Sequence, residues 1–172
     1  LRRVTCMKET AIAKNRRQSL GKLGEELAAQ HLSGLGLEIL ARNFHHGREG
    51  EIDIIALEPE PDSDSEKDCL VFIEVKTRRV DSPTSAFEHT GQMSVDRRKR
   101  QKIIRAAFAY LSSARERLST LSSWGSGRMP MRFDLILIDI ALTRSQLKAY
   151  VDAMDQPALA KNSRIQHFKE LF

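Results

Sequence analysis

Long apolar runs, paired cysteines and internal repeats are all missing from this chain, and each absence removes a class of protein. No stretch approaches the ~20 apolar residues that a membrane-crossing helix needs. Cys6 and Cys69 are the only cysteines. Two such isolated residues make neither a disulfide framework nor a thiolate metal site, and they read as reduced thiols of a cytoplasmic protein. Residues 1–17 lack the apolar core of a signal peptide. The acidic stretch Glu58 to Asp68 lacks the glycine and terminal glutamate of a Ca²⁺-binding hand, so it reads as a solvated loop between two antiparallel strands. Trp124, the single tryptophan, lies in a Ser/Gly-rich loop and reads as an anchor for that loop in preference to a platform for stacking a base.

What is present describes one globular domain. The 172 residues suffice for one real core, with 41% hydrophobic and 30% charged residues. Net charge is +5, which permits a polyanionic partner. Six basic residues against Glu9 place +5 in residues 1–17. We expect a disordered basic arm there and a single domain over 18–172.

Along that domain, Ser19 caps a helix to Leu35, with Leu20, Leu23, Leu27, Ala28, His31 and Leu35 as its apolar stripe. Gly21 and Gly24 interrupt good helix formers, which points to close backbone packing or a nearby ligand. Glu25 lies at the edge of the stripe, on the flank shared with Leu32, while Glu26 falls on the wet side. Strands are expected over Leu37–Asn43, Glu51–Leu57, Leu70–Lys76 and Met131–Ile140. Phe44 to Gly50 reads as a polar turn. Its adjacent His45 and His46 suit a substrate or solvent better than one shared metal ion. A second helix spans Val95–Ser113, with stripe Ile103, Ile104, Ala107, Phe108 and Leu111. Its first turns carry Arg97, Arg98, Lys99, Arg100 and Lys102, which together with Arg78 and Arg79 form a candidate phosphate-contacting surface. Lys99 extends the packing stripe and points toward the sheet. A short helix is expected over Thr143–Met154. Ile165, Phe168, Leu171 and Phe172 form an apolar tail that docks on the body or on a second subunit.

The chemistry concentrates in Gly50-Glu51-Ile52-Asp53-Ile54-Ile55 and Phe72-Ile73-Glu74-Val75-Lys76. Strand side chains alternate faces, so Glu51 and Asp53 are expected on one face with Ile52 and Ile54 on the other. Glu74 and Lys76 share a face opposite Ile73 and Val75. If the two strands pair, Asp53, Glu74 and Lys76 converge. Two close carboxylates repel unless one is protonated or a cation sits between them. Hard oxygen ligands of this kind suit Mg²⁺ or Mn²⁺ completed by a substrate phosphate. Asp53 and Glu74 are the candidate metal ligands, with the Val75 carbonyl and Glu25 as additional ones. Lys76 is the candidate for orienting a water or stabilising phosphoryl charge.

These motifs carry a resemblance. Gly21-x-x-Gly24-Glu25, Ala41-Arg42-Asn43, the Gly50–Ile55 run, Phe72-Ile73-Glu74-Val75-Lys76-Thr77-Arg78, Lys99 and Arg132-Phe133-Asp134 together resemble the bacterial YraN family over roughly residues 18 to 168. That family is similar to archaeal Holliday-junction resolvases and to the restriction-endonuclease-like PD-(D/E)xK nucleases. The resemblance implies an α/β fold with a central mixed sheet flanked by helices. It also implies a Mg²⁺-dependent site in which Asp53 is the motif acid, Glu74 and Lys76 the Glu-x-Lys pair, and Glu25 the helix acid. Ile52 stands where the wider superfamily often has proline. The expected activity is hydrolysis of phosphodiester bonds in structured or branched DNA, by a protein that is a candidate homodimer. The alternative is a nucleic-acid-binding or assembly module that keeps the fold without turnover.

Overall fold

The computed structural model describes residues 20–47, 50–59, 68–80, 97–119, 129–143 and 161–171, with 145, 146 and 149. The basic arm, the acidic loop over 60–67, the Trp124 loop and most of the Thr143–Met154 segment lie outside the described residues. Among the described residues five strands form one mixed sheet in sequence order: β1 Glu38–His46, β2 Gly50–Glu58, β3 Cys69–Arg79, β4 Met131–Ile140 and β5 Ser163–Phe168. Only β3 and β4 run parallel, and α2 (Arg97–Ser113) and α3 (Arg115–Leu118) lie in the connection between them, as a parallel crossover requires. Helix α1, over 20–34, precedes the sheet.

Strand alternation divides the apolar residues between the two helical layers. Ile54, Ala56, Val71, Ile73, Ile136 and Ile138 pack with Leu27, Ala28 and Leu32 of α1. Ile52, Ile55, Leu70 and Phe72 pack with Ile103, Ala106, Ala107 and Tyr110 of α2. Phe72 stacks on Phe133 and meets Tyr110 edge-on, which joins the crossover helix to the parallel strand pair.

Leu35 is exposed, and Leu32 is the buried residue that completes the α1 stripe. The flank carrying Glu25, Ala29 and Leu32 therefore turns further inward than the expected stripe allowed. Phe108 is likewise exposed, because α2 buries Ala106 and Tyr110 instead. β1 continues through Phe44, His45 and His46, which were expected in a turn. The tail supplies a whole strand, β5, antiparallel to β4. Ile165 packs into the α1 layer and Leu171 into the α2 layer. The tail thus docks on the body; Phe172 lies outside the described residues.

The alternation of β2 also differs from the expected pattern. Ile52 and Ile55 both face α2, so Ile52 and Ile54 lie on opposite sides of the sheet. The neighbouring strand breaks at the same level, where Ala41 and Phe44 face α2 together. Asn43, between them, has a φ of 51°. Asparagine tolerates this left-handed conformation better than β-branched residues do. The coupled break falls at Asn43 and Asp53 and sets where the Asp53 carboxylate points.

Candidate metal and phosphate site

The β2–β3 ladder runs from Glu58↔Cys69 to Ile54↔Ile73 and stops. One more step would place Asp53 opposite Glu74. At that point the Val75 N–H donates instead to Asp53 Oδ2, at 2.7 Å. β3 continues paired with β4 as far as Arg79, and β2 stays paired with β1 back to Gly50. The strands therefore fork, and the two carboxylates stand at the fork.

The electrostatics of the fork follow from its burial. Burial pushes the Asp53 carboxyl up from an ordinary 3.8 to about 7, with the Glu74 and Glu25 carboxylates adding to the rise. The Val75 N–H and Lys99 oppose it. Lys99, from the first turn of α2, places Nζ 3.1 Å from Glu74 Oε1. Glu74 Oε2 is buried and has no hydrogen-bond partner. A buried acceptor without a partner costs about 1–3 kcal/mol, which a water or a cation at this oxygen would offset.

Helix α1 supplies Glu25, held by a 2.8 Å hydrogen bond from Asn43 Nδ2. Next to it, Glu26 binds Arg42, whose hydrogen bond lowers the Glu26 carboxyl. The glycine signal in α1 divides in two. A Cβ on Gly24 would fall 1.6 Å from Thr77 Oγ1, so Gly24 marks close packing of α1 on the end of β3. Gly21 has open space around it.

The remaining candidates separate by position. Lys76 shares the Glu74 face of β3 and is exposed. Arg78 forms a two-point ion pair with the buried Asp139, which raises its pKa, and Arg79 approaches the Leu142 carbonyl. Both arginines are thereby drawn toward β4. Arg97, Arg98, Lys99, Arg100 and Lys102 all lie in the first turns of α2, with Arg97, Arg98 and Lys102 exposed. Glu51 is exposed and stands 3.6 Å from His45 Nδ1 rather than beside Asp53.

Arg132-Phe133-Asp134 serves a different purpose. The fully buried Asp134 carboxylate accepts hydrogen bonds from Arg132 Nε, His167 Nε2 at 2.8 Å and the Glu170 N–H. Arg132 also pairs with Glu58, which Lys169 approaches at 2.7 Å. This network lies at the Cys69 end of β3 and fastens the tail to the sheet. Cys69 beside it is a free thiol, and burial pushes its pKa up. The sequence carried no sign of these partnerships, because Glu58, Arg132 with Asp134, and His167 with Lys169 lie far apart along the chain.

Whether this set fits a divalent ion rests on the orphaned Glu74 oxygen and the strained ionisation of Asp53. A cation between Asp53 and Glu74 relieves both. Among the described residues no three carboxylate, histidine or cysteine side chains group closely enough to hold a metal ion. Two carboxylates with water and substrate phosphate are the usual complement for Mg²⁺, and the set fits on that basis.

The architecture is thus a helix-flanked mixed sheet with an acidic fork. Over residues 24–138 the sequence matches the model of the Uncharacterised protein family UPF0102. Curated relatives share that name. A UPF0102 protein of Chlorobium limicola is 35% identical over 90% of this chain and 92% of its own length. One from Stutzerimonas stutzeri is 38% identical over 70% of this chain and 82% of its own, and one from Acidothermus cellulolyticus 40% over 71% and 82%. The chain belongs to the UPF0102 family. Among the described residues no helix is long and apolar enough to cross a membrane.

Proposed function

We propose that this protein is a Mg²⁺- or Mn²⁺-dependent endonuclease acting on structured or branched DNA, with the site of a PD-(D/E)xK nuclease. The observation that carries the reading is the fork itself: a largely buried carboxylate pushed to about 7 beside another with one buried, unpartnered oxygen. Asp53 and Glu74 are the residues that would hold the ion, with the Val75 carbonyl and Glu25 at its margin. A bound divalent ion supplies Lewis acidity toward a phosphoryl oxygen and lowers the pKa of a water. The chain's own residues do the rest. The Val75 N–H fixes the Asp53 carboxylate. Asn43 fixes Glu25. Lys76, on the Glu74 face, reaches toward a phosphate to orient the attacking water or to stabilise charge growing on its oxygens. The exposed basic turns of α2 hold the DNA backbone.

A binding or assembly module without turnover is the second reading, favoured by the exposed position of Lys76 and the lack of a three-ligand group among the described residues. Incubating the protein with branched DNA and RNA substrates in Mg²⁺ or Mn²⁺ separates the two. Cleavage abolished by Asp53→Asn and Glu74→Gln supports the nuclease. Metal-independent binding with no cleavage of any substrate supports the module. Ile165 and Leu171 are used within the chain, so a homodimer rests only on the symmetry of branched DNA.

A further inference from the structure

A cavity of about 240 Å³ opens beside the acidic fork, lined by His45, Gly47, Gly50, Glu51, Lys99 and Lys102. It lies below the ~300–1,000 Å³ typical of drug-sized ligand sites, and among the described residues no apolar side chain lines it, so it suits a small, polar group. Its cationic wall is α2. Gly50 brings that wall close: a Cβ there would stand 2.5 Å from the Lys102 carbonyl oxygen. Only a glycine lets the start of β2 press against the helix backbone, and that approach closes the cavity between strand and helix. Among the described lining residues Lys99 and Lys102 outweigh Glu51, which is itself 3.6 Å from His45 Nδ1. Lys99 belongs to two places at once, since it lines the cavity and its Nζ is 3.1 Å from Glu74 Oε1.

We propose that this cavity is a seat for a DNA phosphodiester next to the one attacked, and that Lys99 is an exchangeable cation linking the seat to the acids. The proposal rests on the nuclease reading above. Without a divalent ion, Lys99 neutralises Glu74. With the ion on the free Glu74 Oε2, the carboxylate's charge is shared, and Lys99 at Oε1 is held less strongly, is repelled by the added positive charge, and turns to the phosphate beside Lys102. A lysine suits this exchange because its ammonium is a point charge on a flexible stem. Metal and DNA then strengthen each other's binding, and the coupling is reciprocal. Lys102, which does not touch the acids, binds phosphate whether or not metal is present.

The test measures the affinity of a fluorescently labelled branched DNA with and without Ca²⁺, which stands in for Mg²⁺ without driving cleavage. Wild type, Lys99→Gln and Lys102→Gln are compared after their melting curves show that each is folded. Ca²⁺ is expected to tighten wild-type binding at least ~5-fold, the lower end of common coupling between sites. In Lys99→Gln that enhancement falls below about twofold, since most of the coupling runs through this residue. In Lys102→Gln binding weakens equally with and without Ca²⁺, the enhancement persists, and the salt slope drops by about 1. An undiminished Ca²⁺ effect in Lys99→Gln overturns the exchange. Wild-type affinity in Lys102→Gln overturns the phosphate seat. DNA binding indifferent to Ca²⁺ in the wild type overturns the proposal while leaving Mg²⁺-dependent cleavage to judge the nuclease reading. No DNA binding at low salt in any variant overturns the nuclease reading itself.

Discussion

Replacing Asp53 with asparagine removes a charge and keeps the shape, including an oxygen that accepts the Val75 N–H hydrogen bond. In the metal-free protein the Asp53 carboxyl titrates near 7 against an ordinary 3.8, chiefly because it is buried and because Glu74 faces it. A group whose pKa rises on folding stabilises the fold fully below its unfolded pKa and loses that contribution as pH climbs through the folded value. The relevant window therefore runs from about pH 4 to pH 7. Over it, a rise of about three pH units at 1.36 kcal/mol each amounts to ~4 kcal/mol. Above pH 7 the wild type carries an ionised, desolvated Asp53 beside Glu74, and Asp53→Asn does not. The variant should be the more stable protein at pH 8, by up to ~4 kcal/mol, which for a chain of this size is roughly 8–16 °C in melting temperature. The difference should shrink as pH falls and vanish near pH 4. Thermal melts of both proteins at intervals from pH 4 to 8, in chelator, measure it directly. A variant that is equally or less stable at pH 8, or a gap independent of pH, refutes the account of the fork as a site of unrelieved repulsion.

Mg²⁺ or Mn²⁺ should raise the melting temperature of the wild type at pH 8 in a concentration-dependent way, and should leave Asp53→Asn and Glu74→Gln unmoved. Gly24→Ala should destabilise by about 1–3 kcal/mol through overpacking against Thr77, with Thr77→Ala restoring part of the loss; additive effects in a denaturant double-mutant cycle would count against that contact. Arg78→Ala should cost roughly 3 kcal/mol by stranding the buried Asp139, while DNA affinity at fixed salt changes little. The reverse pattern, stable protein and weakened DNA binding, would return Arg78 to the phosphate-contacting surface. DNA affinity should fall with rising salt in proportion to the phosphates neutralised, and Arg97→Gln and Arg98→Gln should each flatten that slope.

Much of the fold could be read from the sequence because its signals are local. The β-branched runs of β2, β3 and β4 are dense enough to set strand positions to within a few residues. Helix α2 ends at Ser113, as its pattern indicates. Periodicity fails as a guide where tertiary contacts override it. Phe108 fits the α2 stripe by spacing, but the helix is rolled so that Tyr110 meets Phe44 and Phe72 instead. The tail was visible only as apolar residues, since a strand of half-buried positions acquires its identity from the partner it adds to. Lys99 was readable because a helical spacing of four carries it onto the packing face. The Arg78–Asp139 pair was not readable, because a parallel register between β3 and β4 is fixed by the crossover and not by either strand alone.

The sequence by itself determined which residues had the chemistry: two acids set in β-branched runs, a lysine two places after one of them, a glutamate in the first helix and a basic turn at the start of the second. Side-chain type and short-range periodicity suffice for that. Tertiary structure alone decided how they meet. The ladder stops at Ile54 and Ile73, the left-handed Asn43 breaks the alternation of two strands together, and Gly50 admits α2 close enough for Lys99 to reach Glu74. Each depends on segments distant along the chain, and the free energy that holds a buried carboxylate near 7 comes from the packing of the whole fold around it.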